Sequence, residues 1–229
     1  LSCSASCMLM VNPQHAIRSR LILCWNPTSP SGSSCIGQDL TPEEMTTVVL
    51  THAHPDHIGG VLDASGKAAF PNAQYVMSKT EWDFWTSKPD LRSTGMDDHV
   101  KELLVSCASK NLPPLKPRME LLEAEKEIVP GVHAIPAPGH TPGHMALVIS
   151  SAKEQLLHMA DTVLHPMHLE HPAWRTVFDL NQEDAATTRR LLDRAAADKV
   201  NVLAYHFPFP SLGHVTKRGN AWRWEVANA

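Results

Sequence analysis

Thr51-His52-Ala53-His54-Pro55-Asp56-His57 is the stretch of this 229-residue chain from which the fold can be inferred. It follows Thr46-Thr47-Val48-Val49-Leu50, a β-branched and apolar run with the composition of a buried strand. Residues two apart on an extended chain point the same way, so His52 and His54 at the end of that strand can grip one metal ion. Proline suits the first position of a helix, and a helix opening at Pro55 would present Asp56 and His57 to a second ion close by. Imidazoles and carboxylates together suit zinc, and also iron or manganese. A histidine-rich surface turn is the competing reading. Four ligand-type residues among positions 52–57, directly after a buried strand, favour coordination.

A second motif, Pro138-Gly139-His140-Thr141-Pro142-Gly143-His144, has the glycines and prolines of a tight loop that can hold one imidazole rigidly. His140 is the expected ligand. His144 opens the next strand and is either a hydrogen-bonding support for a ligand or a structural histidine. Asp161 and His206 each end an apolar run (residues 155–160 and 200–205) and gain weight from following the two motifs in order. Further strands are predicted over residues 73–78, 132–135 and 145–150, and helices over 80–85 and 97–109. A helix start is predicted at Thr41-Pro42-Glu43-Glu44. A long helix is predicted over 182–199, with Asn181 as its cap and Ala185, Thr188, Leu192 and Ala195 as its apolar face. No internal repeat is visible, and a single domain over residues 1–229 is expected, with the motifs in 41–216. Residues 1–40 are atypical, rich in Ser, Cys, Pro and Gly around one apolar run, Leu21-Ile22-Leu23-Cys24-Trp25, and should pack less well than the remainder.

Composition narrows the function. At 43% hydrophobic and 19% charged the chain has the make-up of an ordinary globular protein. Its net charge of −4 lacks the basic face that a nucleic-acid backbone requires. No apolar run approaches the roughly 20 residues that span a bilayer. The opening stretch lacks the pattern of a signal peptide, so a cytoplasmic location is expected. Cys3, Cys7, Cys24, Cys35 and Cys107 are odd in number. A Cys3–Cys7 metal pair has no partner pair at finger spacing, which leaves the thiols incidental.

Taken together, Thr51 to His57, Pro138 to His144, Asp161 and His206 resemble the metallo-β-lactamase superfamily over about residues 41–216. Phe70-Pro71-Asn72-Ala73, Ala137 to His144, and His206-Phe207-Pro208-Phe209-Pro210-Ser211-Leu212-Gly213-His214 are similar to the branch of methyl parathion hydrolase and N-acyl homoserine lactonases. The resemblance implies an α/β fold, an αββα sandwich with two divalent metal ions at one edge, zinc first and iron or manganese as alternatives. It assigns His52, His54 and His140 to one ion, Asp56, His57 and His206 to the other, and Asp161 to both. It further implies a metal-bridging hydroxide that attacks a small ester, lactone or phosphotriester, with Asp56 orienting it. Two departures from the family pattern stand out. The strand ending in Asp-Thr-Gly ahead of the histidine motif is missing, since Leu21 to Asn26 contains no aspartate, and Ala160 replaces the usual glycine before the bridging aspartate.

The segment 161–174 adds His165, His168, His171 and Trp174, read as pocket-lining groups ahead of a third metal site. Phe207 and Phe209 with Trp174 form either an apolar substrate wall or plain core packing. Trp82, Phe84 and Trp85 suit core or lid packing. The expected partner is a small-molecule substrate, with neither nucleic acid nor membrane, and a homodimer is open. Rival readings are a mononuclear iron persulfide dioxygenase and a non-catalytic metal-binding member of the superfamily. A flavodiiron reductase is disfavoured by His54, and a nuclease by the acidic charge.

Overall fold

Val48, Val49 and Leu50 are fully buried, and they lead directly into the histidine motif. The computed structural model describes residues 9–12, 20–22, 41–92, 94–152, 154–174, 176–181 and 184–227. Cys3, Cys7, Cys24, Cys35, the packing of most of residues 1–40 and the helix start at Gln182 lie outside them. So do the side chains of Ala185 and Thr188. The chain divides into two compact units, Leu1–Glu123 and Ala124–Ala229.

Among the described residues, the first unit builds a five-stranded sheet in the order β2-β1-β3-β4-β5. These strands are β1 (Leu9–Asn12), β2 (Arg20–Ile22), β3 (Thr47–Val49), β4 (Gln74–Ser78) and β5 (Met119–Leu122). β3, β4 and β5 run parallel, while β1 is antiparallel to both of its neighbours. Parallel neighbours need crossovers, and helices supply them. α1 (Pro55–Ile58) lies between β3 and β4, and α2 (Lys79–Thr86) and α3 (Asp98–Asn111) between β4 and β5. Asp97 caps α3 by accepting from the backbone N–H of His99 at 2.9 Å. Tyr75 is fully buried on β4, where its hydroxyl accepts from Phe70 N–H at 3.3 Å. Burial pushes that hydroxyl up to about 12. The expected helix at Thr41 is a single short turn, Pro42–Glu44, in which Thr41 N–H donates to Glu44 Oε2 at 2.7 Å.

The second unit builds a seven-stranded sheet among the described residues, in the order β12-β11-β10-β9-β8-β7-β6. Strands β6 (Lys126–Val129), β7 (Val132–Pro136), β8 (Met145–Ser151) and β9 (Glu154–Ala160) form an antiparallel meander. β10 (Asn201–Ala204) then pairs parallel with β9, after a crossover containing α4 (Pro166–Glu170) and α5 (Ala185–Asp198). β11 (Leu212–Arg218) and β12 (Ala221–Val226) complete the sheet antiparallel. Met159, Leu169, Leu192, Ala195, Val202, Val215 and Trp222 fill its core.

The cap of α5 corrects one expectation. Asp184, not Asn181, stands at the N-cap, and Asn181 Nδ2 donates to Asp184 Oδ2 at 2.7 Å. Asn181 is held elsewhere: its backbone N–H donates to Gly139 O at 2.9 Å, and that of Leu180 to His140 O at 3.0 Å. The segment is a strap on the His140 loop, and the helix begins after it.

Gly213 in β11 marks the closest approach in this unit. A Cβ there would lie 2.3 Å from Glu225 O and 2.7 Å from the Trp224 ring. Gly213→Ala should therefore destabilise the fold by about 1–3 kcal/mol, the usual range for overpacking, read as a lowered midpoint in urea unfolding.

Candidate metal centre

In the first unit the donors follow β3 without a break. Leu50 N–H donates to Val76 O at 2.9 Å, so the sheet pairing continues to the threshold of the motif. His54 is the N-cap of α1, and its carbonyl accepts from His57 N–H at 2.9 Å and Ile58 N–H at 3.0 Å. This strand-to-helix turn folds the motif back on itself. The rings of His52 and His54 lie 4.8 Å apart, and those of His52 and His57 4.0 Å apart. All three imidazoles are buried, whereas the side chain of Asp56 is 38% exposed and its Oδ2 lies 3.5 Å from His57 Nε2. The Thr51 hydroxyl sits between two rings, 3.2 Å from His52 Nδ1 and 3.5 Å from His57 Nδ1.

In the second unit the donors stand just past strand ends. Ala137 N–H donates to His144 O at 2.8 Å and closes the Pro-Gly-His loop, with Gly139 at φ +136°. Asp161 follows β9 and is 3% exposed. His206 follows β10, on a turn closed by Phe207 N–H donating to Ala204 O at 3.1 Å. Asp161 Oδ2 lies 3.0 Å from His206 Nε2 and 3.5 Å from His140 Nε2. Ala160 has φ +44°, a left-handed conformation that favours glycine. The departure at that position is therefore a matter of backbone strain as well as of one added methyl group.

His144 is a backbone support. Its Nδ1 lies 3.0 Å from Ala137 O, and its Nε2 lies 3.1 Å from Asp161 N. A carbonyl can only accept and an amide N–H can only donate, so the ring is neutral with its proton on Nδ1. Both nitrogens are thereby committed to holding the His140 loop and Asp161.

The donor chemistry fits divalent cations. Within the first unit, His52 with His54, and Asp56 with His57, bring ligand atoms within 4.8 Å of each other, as do His140 with Asp161 and Asp161 with His206 in the second. Ligands bound tetrahedrally at about 2.0–2.1 Å lie about 3.3 Å apart. The 3.0 and 3.5 Å separations around Asp161 bracket that value.

Two supporting groups carried no sequence signal. Asp179 Oδ1 lies 3.1 Å from His140 Nδ1, a carboxylate behind an imidazole 39 residues away. Glu81 is fully buried on α2, and its Oε1 accepts from Ala53 N–H at 3.0 Å. Only the fold brings either one to its partner.

The expected pocket residues separate. A cavity of about 60 Å³ in the second unit is lined by His140, Asp161, His168, Trp174, Asp179, Asn181, Leu192 and Trp222, among others. Trp174 is on that wall, and His171 stacks on its ring at 4.2 Å. His165 is not on the wall: it stands at the N-cap of α4, accepting from Met167 N–H at 3.2 Å. Phe207 is 4% exposed in the core and packs edge-on against Trp224, so core packing accounts for it. Phe209 is 92% exposed. A long turn can aim alternate aromatic residues inward and outward, which residue type alone does not specify.

A strand-end donor set of this order on these two sheets defines a class. The sequence profile of the metallo-beta-lactamase superfamily matches residues 28–206, and the chain belongs to that superfamily. Among curated relatives, an N-acyl homoserine lactonase of a Bacillus species is 30% identical over 112 residues, covering 49% of this chain and 36% of the relative. A probable metallo-hydrolase of Mycobacterium bovis is 30% identical over 125 residues, covering 52% and 37%. The matches thus span little more than a third of the length of these relatives. Among solved structures, AidC, a dizinc quorum-quenching lactonase, has 29% identity and a TM-score of 0.77 over 83% of this chain and 67% of that one. The hydrolase AbOPH of the beta lactamase superfamily has 25% identity and a TM-score of 0.71 over 83% and 67%. No helix among the described residues is long and apolar enough to cross a membrane.

His168 supplies a test of the cavity. Burial pushes its imidazole below the ordinary 6.5, the nearby Asp179 carboxylate pulls it up, and His165 pushes it down. The folded ring is therefore neutral at pH 7, and the unfolded chain takes up this proton first as pH falls. Stability tied to this group is present above 6.5 and is lost as pH drops toward the folded value. In an NMR titration without added metal, His168 should titrate below 6.5, and Asp179→Asn should lower it further.

Proposed function

We propose that this chain is a dinuclear metal-dependent hydrolase of small lactones, with simple esters and phosphotriesters as secondary substrates, and that residues 1–229 act as a single metallo-β-lactamase-type domain. The observation that carries the reading is the buried carboxylate of Asp161, set at co-ligand spacing from two imidazoles and anchored through its backbone by a third. The likeness to a dizinc lactonase supports the choice of reaction.

In this reading His52, His54 and His140 hold one ion, Asp56, His57 and His206 the other, and Asp161 serves both. With Nδ1 of His52 and His57 beside Thr51 and Nδ1 of His140 beside Asp179, Nε2 is the coordinating nitrogen of each. Zinc suits the donor set, and iron or manganese also fits it. When bound, such ions supply Lewis acidity and a water made acidic enough to attack at neutral pH. The protein's own groups do the rest. Asp56 accepts a hydrogen bond from the attacking water and orients it. Asp179 fixes the plane of His140. The neutral His168 offers one hydrogen bond to an uncharged substrate, and Trp174 shields an apolar portion of it from water.

Protein purified without chelator should carry two equivalents of metal by elemental analysis and should hydrolyse N-acyl lactones, followed by release of acid at constant pH. Asp161→Ala should reduce binding at both sites. His57→Ala and His206→Ala should each lose one equivalent and abolish turnover. Asp179→Ala should cost about 10–100-fold in metal affinity or rate, the usual cost of removing an orienting partner. One equivalent of iron with oxygen consumption would instead identify the persulfide dioxygenase, and metal binding without hydrolysis of any substrate class a non-catalytic member.

A further inference from the structure

Glu81 is the most deeply buried acidic side chain among the described residues, at 0% exposure, and it lies on α2 outside the ligand motifs. Its Oε1 accepts from two donors, the Ala53 backbone N–H at 3.0 Å and the Trp85 indole Nε1–H at 2.7 Å. Ala53 is the residue between His52 and His54. Trp85 in turn sets its ring edge-on against the His54 imidazole, with centroids 5.7 Å apart. One carboxylate oxygen therefore holds the peptide that links the two histidines and, through an indole, the face of the second.

We infer that Glu81 is a positioning residue for metal binding, clamping the His52-Ala53-His54 backbone and the Trp85 ring so that both imidazoles are preset for one ion. The inference rests on the metal-binding reading above. Two observations favour this role over fold stability alone. A buried carboxylate is costly to place, and an apolar side chain would fill the site more cheaply if only packing were required. One of the two hydrogen bonds also leaves α2 and lands on the peptide between His52 and His54, while the other, within α2, fixes the indole that packs against the His54 ring.

The test is zinc affinity of the full-length chain, measured by competition with a chromogenic chelator, with far-UV circular dichroism to verify folding. Glu81→Ala should weaken one of the two equivalents by about 10–100-fold and leave the other nearly unchanged. Glu81→Gln keeps the acceptor oxygen but loses the charge that strengthens its hydrogen bonds, so it should recover most of the affinity while remaining a few-fold below wild type. A merely structural residue would lower thermal stability and leave zinc affinity of the folded protein unchanged, or weaken both equivalents alike. Either result overturns the inference. If Glu81→Ala does not fold, Glu81→Gln decides: a few-fold loss confined to one equivalent supports the role, and wild-type affinity overturns it. Absence of zinc binding by the wild-type chain overturns the metal-binding reading together with this one, whereas wild-type binding with unaffected variants overturns this one alone.

Discussion

Asp161 places a carboxylate in the interior of the second unit, and much of the surrounding structure compensates for that burial. A buried ionisable group is tolerated only when it is paired and hydrogen-bonded. His206 and His140 face one of its oxygens, and His144 takes its backbone N–H. The group also sits directly after a residue in left-handed conformation, Ala160. Strain of this kind persists where neighbouring contacts over-determine the backbone. Here the β9 pairings on one side and the His144 bond on the other do so.

The same device recurs behind the other donors. An imidazole has two nitrogens, and a ring that uses one for coordination is oriented by whatever engages the second. Thr51 stands beside the Nδ1 atoms of His52 and His57, and Asp179 beside that of His140. Glu81 acts one step further back, on the peptide between two histidines. Sheets make such precision available. β3, β9 and β10 each end within a few residues of a donor, so the position of the donor is inherited from a hydrogen-bonded ladder.

The strand and helix pattern was largely legible. β4, α2, α3, β7, β8, β9 and β10 fall where apolar periodicity and capping residues predict them, within a residue or two at their ends. The cap of α5 was misassigned because Asn181 is a good capping residue by type, whereas Asp184 holds that position. The backbone N–H of Asn181 bonds Gly139 instead, a contact across 42 positions that no local rule anticipates. At His165 the local structure is a cap that residue type does not announce. Its neighbours suggested a pocket loop, but a short helix begins beside it and takes its Nδ1 as a cap.

What the sequence by itself determined is the chemistry of the donors and the order in which they occur. The reason is local: two histidines on one face of a strand end, a proline-started turn, and a glycine-bounded histidine loop are each encoded within about seven residues, the span over which backbone geometry fixes side-chain direction. Tertiary structure alone decided what stands behind those donors. Asp179 reaches His140 across 39 residues and Glu81 reaches Ala53 across 28, and both are ordinary acidic residues in their own segments. It also decided that Phe207 turns into the core while Phe209 faces solvent. Long-range hydrogen bonds and the choice of buried face depend on which elements pack together, and that is settled by the burial of the whole apolar set and not by any one stretch of it.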